Sequence, residues 1–337
     1  MISGMWQRDA RPVRQAPPAA GEPPASEASP PAQAPPGRVP VAEVQSHAGD
    51  GDRRHRGRRA WDSPVTSWQW WLGPAGLVIA LVFAVLASLV VEIPAALAGV
   101  HFTSGKTPGG IELLDTVLQD GIFVVTAVLL ARSGGRAVRS WQFGLRPTKL
   151  SRALGYLLLM MLAFYLLSLL WGEVIQNHTK EKLLEMLGAN EATSLLAGSA
   201  LLTCVIAPIC EELLFRGFIF TSLRNWHGPW VAAVLTAIIF GAVHGLSAPA
   251  VDLLPLALLG FGLCLLYRAT GSLYPCIAAH CLNNAIAFGA LEGWSWSVVL
   301  GLLAGALSMI WLLMQLGKRL GLIRTPPPSA AAGALAQ

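Results

Sequence analysis

The sequence predicts an all-α, polytopic membrane protein in which about eight transmembrane helices enclose a polar intramembrane cavity. Only 13% of the 337 residues are charged and the mean hydropathy is +0.54, whereas soluble domains carry about 25% charged residues. Eight long apolar segments follow one another along the chain. Three of these segments contain strongly polar residues at helical spacing, although such side chains are costly at membrane depth.

The eight apolar segments account for most of the chain beyond Trp68. Most of them approach or exceed the roughly 20 residues that a helix needs to cross the hydrocarbon core. Only residues 268–271 separate the sixth segment from the seventh, which predicts a tight helical hairpin. Tryptophans open the first and last segments, at the headgroup depth that this residue favours. The segments cover 70–98, 112–132, 153–175, 197–222, 230–248, 252–268, 272–290 and 294–316.

The two ends of the chain differ in composition from this membrane domain. Residues 1–66 hold 11 of the 23 prolines and many alanines and arginines, so they are predicted to form a disordered cytoplasmic tail. Five arginines between positions 53 and 59 either anchor this tail to anionic membrane lipid or act as a topology signal or a solvated linker. The eight-helix domain is predicted to cover 67–318, and 319–337 to form a short disordered tail.

The distribution of lysine and arginine predicts the orientation in the membrane. If the N terminus is cytoplasmic, 21 of these residues fall on the cytoplasmic side and only Lys106, Lys180 and Lys182 on the other. Since positive residues favour the cytoplasmic side, both termini are predicted to lie there. The same placement in short loops favours a topology signal over nucleic-acid binding. Arginine outnumbers lysine 19 to 5, which hints at a GC-rich bacterial genome and a bacterial plasma membrane.

The first polar constellation is Glu211-Glu212-Leu213-Leu214-Phe215-Arg216. Glu212 and Arg216 are four residues apart, so they face the same side of a helix and can form an ion pair. Glu211 points about 100° away from Glu212 and lacks this local partner. Such a carboxylate can serve as a general acid or base. The alternative is a cytoplasmic helix end with solvated charges.

Two further constellations lie in later apolar segments. Phe240 lies one helical turn before His244, and His280 lies one turn before Asn284. A histidine with an amide one turn away can hold a proton, a metal or an oxyanion. Counted at 1.5 Å per residue from the predicted helix ends, Glu211, His244 and His280 lie roughly 16, 22 and 12 Å into the membrane. This similar depth favours one shared polar cavity over unrelated packing residues.

The order of these motifs on successive membrane segments resembles a known family. EExxxR, FxxxH and HxxxN are similar to the motifs of the CPBP family, the CAAX protease and bacteriocin-processing group, also called the Abi family, which includes the type II CAAX prenyl endopeptidases. The resemblance covers about residues 140–290 and includes Gly144-Leu145-Arg146-Pro147 before the third segment. It implies an eight-helix intramembrane endopeptidase. By position, Glu211 and His244 would activate water, His280 and Asn284 would stabilise the oxyanion, and Glu212, Arg216 and Phe240 would support them.

The cofactor and the substrate stay open at this stage. The family is often called a metalloprotease, and Glu211, His244 and His280 could hold a divalent metal such as zinc. The chain has no HExxH motif, however, and water activated by Glu and His alone needs no ion. The implied partners are a peptide or lipidated-protein substrate, prenylated or not, and membrane lipid. Nucleic acid is not an expected partner, and no oligomeric state is predicted.

Two other functions are compatible with the same polar residues. A non-catalytic membrane scaffold or bacteriocin-immunity protein would bind a peptide or partner protein in the same cavity. A transporter would use Glu and His as a proton relay, but no inverted repeat relates the two halves of the sequence.

The five cysteines lie in apolar stretches and are expected to be small buried hydrophobes. Interfacial positions or contacts with cavity water are expected for the remaining acids, Glu92, Asp115, Asp120 and Glu173, of which Asp120 lies deepest.

Overall fold

The computed structural model describes residues 66–102, 108–133, 135, 137–175, 193–319 and 321, and within them the regular elements are all helical. Every predicted apolar segment overlaps a helix. The predicted tails, 1–66 and 319–337, lie almost entirely outside the described residues. The helices are α1 (Leu72–Leu97), α2 (Gly109–Arg132), α3 (Leu150–Ile175), α4 (193–226), α5 (229–243), α6 (Leu253–Thr270), α7 (Leu273–Leu291) and α8 (Trp296–Arg319).

Length and apolar composition make this chain an integral membrane protein. Within the described ranges, six helical stretches are long and apolar enough to cross a membrane, and one of them, Ser194–Val243, contains both α4 and α5. The helix α7 is not among the six, since His280, Asn283 and Asn284 lower its mean hydropathy. The predicted all-α membrane fold is confirmed, and the predicted count of eight spanning helices is approximate.

The helix α4 lies at the centre of the bundle. Its Phe215, Phe218 and Phe220 are at most 1% exposed. The helix α1 approaches α4 closely because Gly73 has no side chain: a Cβ atom there would lie 2.3 Å from the Ser222 hydroxyl oxygen. The outer helices instead expose large apolar side chains such as Val90, Leu158 and Trp296, as expected of surfaces solvated by lipid.

The backbone of α4 is irregular around the first polar motif. Its hydrogen bonds widen to π-helical spacing at Leu202–Ile206 and again at Leu213–Phe220. These two turns flank Glu211 and Glu212, and π turns occur frequently at functional sites. The helix ends at His227 and Gly228, where Gly228 has a φ of 81°. Pro229 then begins α5 with the fixed φ that suits a first helical position.

The segment before α3 holds the predicted hairpin between α6 and α7 in place. Gly144 has a φ of 84°, and a Cβ atom there would lie 2.4 Å from the Tyr267 ring, so only glycine fits. Its carbonyl accepts the Leu273 N–H at 2.9 Å. The Arg146 Nε donates to the Gly271 carbonyl at 2.5 Å. These bonds fix the start of α7, two turns before His280.

Candidate active site

A cavity of about 310 Å³ opens among α2, α4, α5, α6 and α7. Its wall includes Glu211, His244, His280 and Asn284. The structure therefore brings the polar residues of three separate apolar segments to one cavity, which is the arrangement that their similar depth predicts. The supporting residues Glu212, Arg216 and Phe240 lie behind this wall and are fully buried.

Glu212 and Arg216 form the ion pair that their spacing predicts. The Arg216 Nη1 lies 2.5 Å from the Glu212 Oε1, and neither side chain has any exposed surface. The Arg216 Nη2 donates to the Gly260 carbonyl at 3.1 Å, and the guanidinium lies 4.5 Å from the centroid of the Phe240 ring. Buried charges are tolerated only when they are paired and hydrogen-bonded in this way.

His280 contacts both glutamates of the first motif. Its Nδ1 lies 2.9 Å from the Glu212 Oε1, and because a carboxylate only accepts, this nitrogen carries a hydrogen. Its Nε2 lies 3.9 Å from the Glu211 Oε2. The hydrogen bond made by one ring nitrogen sets the role of the other. Glu212 thus orients the ring so that the second nitrogen faces Glu211 across the cavity.

His244 begins a short 3₁₀ turn, His244–Leu246, directly after α5. The apolar segment was predicted to continue as a helix to residue 248, so the helix is shorter than expected. The His244 Nδ1 donates to the Phe240 carbonyl at 2.7 Å, which leaves Nε2 as an acceptor in the neutral ring. The Phe240 ring packs against both imidazoles, with centroids 4.6 Å from His244 and 5.8 Å from His280.

Glu211 differs from its neighbour Glu212 in carrying its unpartnered oxygen on a partly exposed side chain that lines the cavity. Its side chain is 18% exposed, and within the described part of the chain its Oε2 has no hydrogen-bond partner. A carboxylate oxygen without a partner in a polar cavity is available to bind water or substrate. The two consecutive glutamates therefore have separate roles: Glu212 is bound to Arg216 and His280, and Glu211 faces the cavity.

Asn284 is positioned by the irregular backbone of α4. In the first π turn the Ala207 N–H donates to the Leu202 carbonyl. The next bond of this pattern would join residue 208 to the Thr203 carbonyl, but Pro208 has no N–H to donate. The Asn284 Nδ2 supplies the missing bond at 2.9 Å. One amide hydrogen of Asn284 is thus used to hold the side chain at the cavity wall, and the second remains for another acceptor.

A metal centre was one of the open alternatives. Across the described ranges, no group of three His, Cys, Asp or Glu side chains is arranged to hold a metal ion. As placed, Glu211, His244 and His280 do not fit a three-ligand site. All five cysteines are free, and four of them are fully buried as expected, whereas Cys210 is partly buried. None of the five is among the residues that line the cavity.

The helix α2 adds polar residues to the cavity that the motifs did not indicate. Glu112, Thr116, Gln119 and Asp120 all line it, and their i, i+4, i+7, i+8 spacing places them on one helix face. Asp120 is only 2% exposed, and its Oδ2 has no hydrogen-bond partner among the described residues. Of the four acids expected at interfacial positions or in contact with cavity water, Asp120 lines the cavity, whereas Glu92, Asp115 and Glu173 are not among its lining residues. The helical spacing of Glu112, Thr116 and Gln119 relative to Asp120 is the sequence signal that could have identified these three residues.

Comparison with known proteins supports the same family. Residues 193–286 match the family described as type II CAAX prenyl endopeptidase Rce1-like, which confirms the resemblance inferred from the motifs. This segment contains Glu211, His244 and His280 with their supporting residues, and also Asn284.

A curated protein of Bacillus subtilis (strain 168), named "Putative membrane peptidase YdiL", is 32% identical over 84 residues. That alignment covers 25% of this chain and 33% of the relative, so the chain matches about a third of the relative's length. No solved structure matches the chain.

Proposed function

We propose that this protein is an intramembrane endopeptidase of the CAAX-protease type that hydrolyses a peptide bond with water activated by Glu211. One observation carries the proposal: the uncommitted oxygen of Glu211 shares a cavity with two imidazoles whose Nδ1 atoms are both already bonded. The ring nitrogens that remain, both Nε2, are available for chemistry. The family match over 193–286 supports the same class of reaction.

The first step is attack by water. The water molecule donates one hydrogen to the Glu211 carboxylate and the other to the His244 Nε2. Its oxygen is then directed at the substrate carbonyl. Glu211 removes the proton as the C–O bond forms, and general base catalysis of this kind contributes roughly 10²–10⁴-fold in rate. The Phe240 carbonyl keeps His244 in the tautomer that accepts from water.

The second step is stabilisation of the tetrahedral intermediate. Its negative oxygen accepts from the His280 Nε2 and from the second amide hydrogen of Asn284. This role requires His280 to carry hydrogen on both ring nitrogens, and the charges of Glu211, Glu212, Arg216 and His280 then sum to zero. When the C–N bond breaks, Glu211 returns its proton to the leaving amine, so that the products are a carboxyl and an amino group.

The substrate is an extended peptide segment of a membrane-associated protein, with or without a lipid anchor. The helix α2 supplies an acidic and amide-bearing wall opposite the motif residues, which offers hydrogen bonds to a peptide backbone. The lysine and arginine distribution supports an orientation with both termini on the cytoplasmic side, and the excess of arginine over lysine supports a bacterial plasma membrane. Modification of single cysteines introduced on either side of the membrane tests this orientation.

A neo-terminus assay tests the proposed activity. The purified protein is incorporated into vesicles that contain membrane proteins from cells lacking it, and newly formed C termini are identified by mass spectrometry. We expect a small set of new termini that is absent from vesicles without the protein. An unchanged set of termini, with the protein folded, would contradict the proposal.

Asn284→Ala is expected to reduce the turnover number by about 10²–10³-fold, since one oxyanion donor is worth that much. KM should change little, because the lost interaction forms only in the transition state. The kinetics can be measured with a peptide spanning a cleavage site found in the neo-terminus assay. Asn225→Ala is the matched control, because its amide bonds the carbonyls of Thr66 and Trp68, away from the cavity. A wild-type turnover number for the Asn284 variant would remove this residue from the mechanism.

Chelation is expected to leave the activity unchanged, because the cavity side chains are not arranged as a three-ligand site. The test compares turnover before and after dialysis against a strong chelator, with the zinc content of each sample measured. Activity that disappears on chelation and returns with added zinc would overturn the metal-independent mechanism.

A further inference from the structure

A second cavity, of about 710 Å³, forms a groove on the outer side of α3 and α6, with Trp230 of α5 at one end. Within the described ranges, it shares no lining residue with the active-site cavity. We propose that this groove binds one anionic phospholipid, with the lipid phosphate at Arg152 and Arg268 and an acyl chain along the groove. This site is independent of the proposed peptidase activity.

The charges at the groove favour a phosphate group. Arg152 lies in the first turn of α3 and Arg268 in the last turn of α6, and both line the same groove. Among the described residues, no aspartate or glutamate lines it. Guanidinium groups match phosphate oxygens with paired N–H donors. Basic pockets between membrane helices are established features of proteins that bind anionic headgroups.

The remainder of the groove is mostly apolar and is long enough to span the hydrocarbon of one lipid leaflet. Beyond Arg152, α3 contributes Leu159, Phe164 and Leu167 to its wall. The rise from position 152 to position 167 is roughly 22 Å, whereas half of the hydrocarbon core is about 15 Å thick. An acyl chain that starts at the arginine end therefore remains within the groove down to the bilayer midplane.

Trp230 places the arginine end at headgroup depth. The Arg268 guanidinium lies 4.8 Å from the centroid of the Trp230 ring, and Trp230 is 56% exposed. Tryptophan is enriched at the membrane interface, where its ring is partly apolar and partly wet. The groove thus presents a cation, then an aromatic ring and then an apolar wall. This order matches that of the phosphate, the glycerol region and the acyl chain in a phospholipid.

The test measures lipid retention by the full-length protein. The protein is extracted from nanodiscs containing equal amounts of phosphatidylglycerol and phosphatidylcholine, and bound lipids are counted by native mass spectrometry. We expect one retained phosphatidylglycerol in the wild type and at least a tenfold loss of retention in Arg152→Gln/Arg268→Gln. Arg132→Gln/Arg319→Gln is the matched control, because it removes the same charge from exposed helix ends outside the groove. This control should retain the lipid.

A second variant tests the apolar wall without changing charge. Ala163 lines the groove, so Ala163→Trp should fill it and reduce retention to the level of the double arginine variant. Equal retention of phosphatidylglycerol in the wild type and both groove variants would overturn the proposal. Equal binding of phosphatidylcholine would also overturn the proposal. Displacement of phosphatidylglycerol by a farnesylated cysteine ester would overturn it too, because it would identify the groove as a site for a substrate's lipid anchor.

Discussion

Glu211→Gln is expected to reduce the formation of new C termini by about 10²–10⁴-fold, the contribution of a general base. The substitution removes the group that accepts the proton of water but keeps the size and polarity of the side chain. The fold should persist, because the Glu211 Oε2 bonds no group among the described residues and the side chain is partly exposed. Circular dichroism and the thermal midpoint in detergent should match those of the wild type.

The matched control for this variant is Glu173→Gln, which makes the same chemical change at an exposed position in the last turn of α3. It should retain full activity. A peptidase loses turnover with Glu211→Gln, whereas a scaffold or immunity protein keeps its partner in the same cavity. Wild-type turnover in the Glu211 variant would therefore contradict the proposed role of this carboxylate.

Arg216→Met is expected to destabilise the protein by about 3–5 kcal/mol, the usual cost of breaking a buried ion pair. Arg216 and Glu212 are both fully buried, so the substitution leaves an uncompensated carboxylate in the core. The thermal midpoint in detergent should fall markedly, and less protein should accumulate in the membrane. Arg319 lies in the last turn of α8 and is exposed. Arg319→Met is therefore the matched control, and its thermal midpoint should equal that of the wild type.

The double variant Glu212→Met/Arg216→Met separates stability from catalysis. Replacing both charges with apolar side chains should restore most of the lost stability, because no unpaired charge remains buried. Activity should stay low, since His280 loses the carboxylate that orients its Nδ1. Unfolding of Arg216→Met at the wild-type temperature would contradict the account of the pair, and so would full activity in the double variant.

Features that depend on local spacing were predictable from the sequence. Long apolar segments predict the helices, and the four-residue spacing of Glu212 and Arg216 predicts their ion pair. The hairpin at Gly271 followed from the four residues that separate two apolar segments. In each case the interacting groups are close in sequence, so helix geometry alone determines which groups meet.

Features that depend on contacts between distant segments were not predictable in detail. The bond between Glu212 and His280 joins residues 68 positions apart, and no sequence pattern specifies it. The bond from Asn284 to the Thr203 carbonyl depends on a π turn that a regular helical wheel does not contain. The end of α5 at Val243 was also missed, because the apolar pattern continues past it.

In the proposed mechanism, the cavity around Glu211 delivers water to a peptide bond inside the membrane. The most direct test is the neo-terminus assay carried out in water enriched in oxygen-18. We predict that each new C terminus made by the wild type gains one oxygen-18 atom, and that Glu211→Gln forms about 10²–10⁴-fold fewer labelled termini. New termini without oxygen-18, or equal labelling by the variant, would contradict the account.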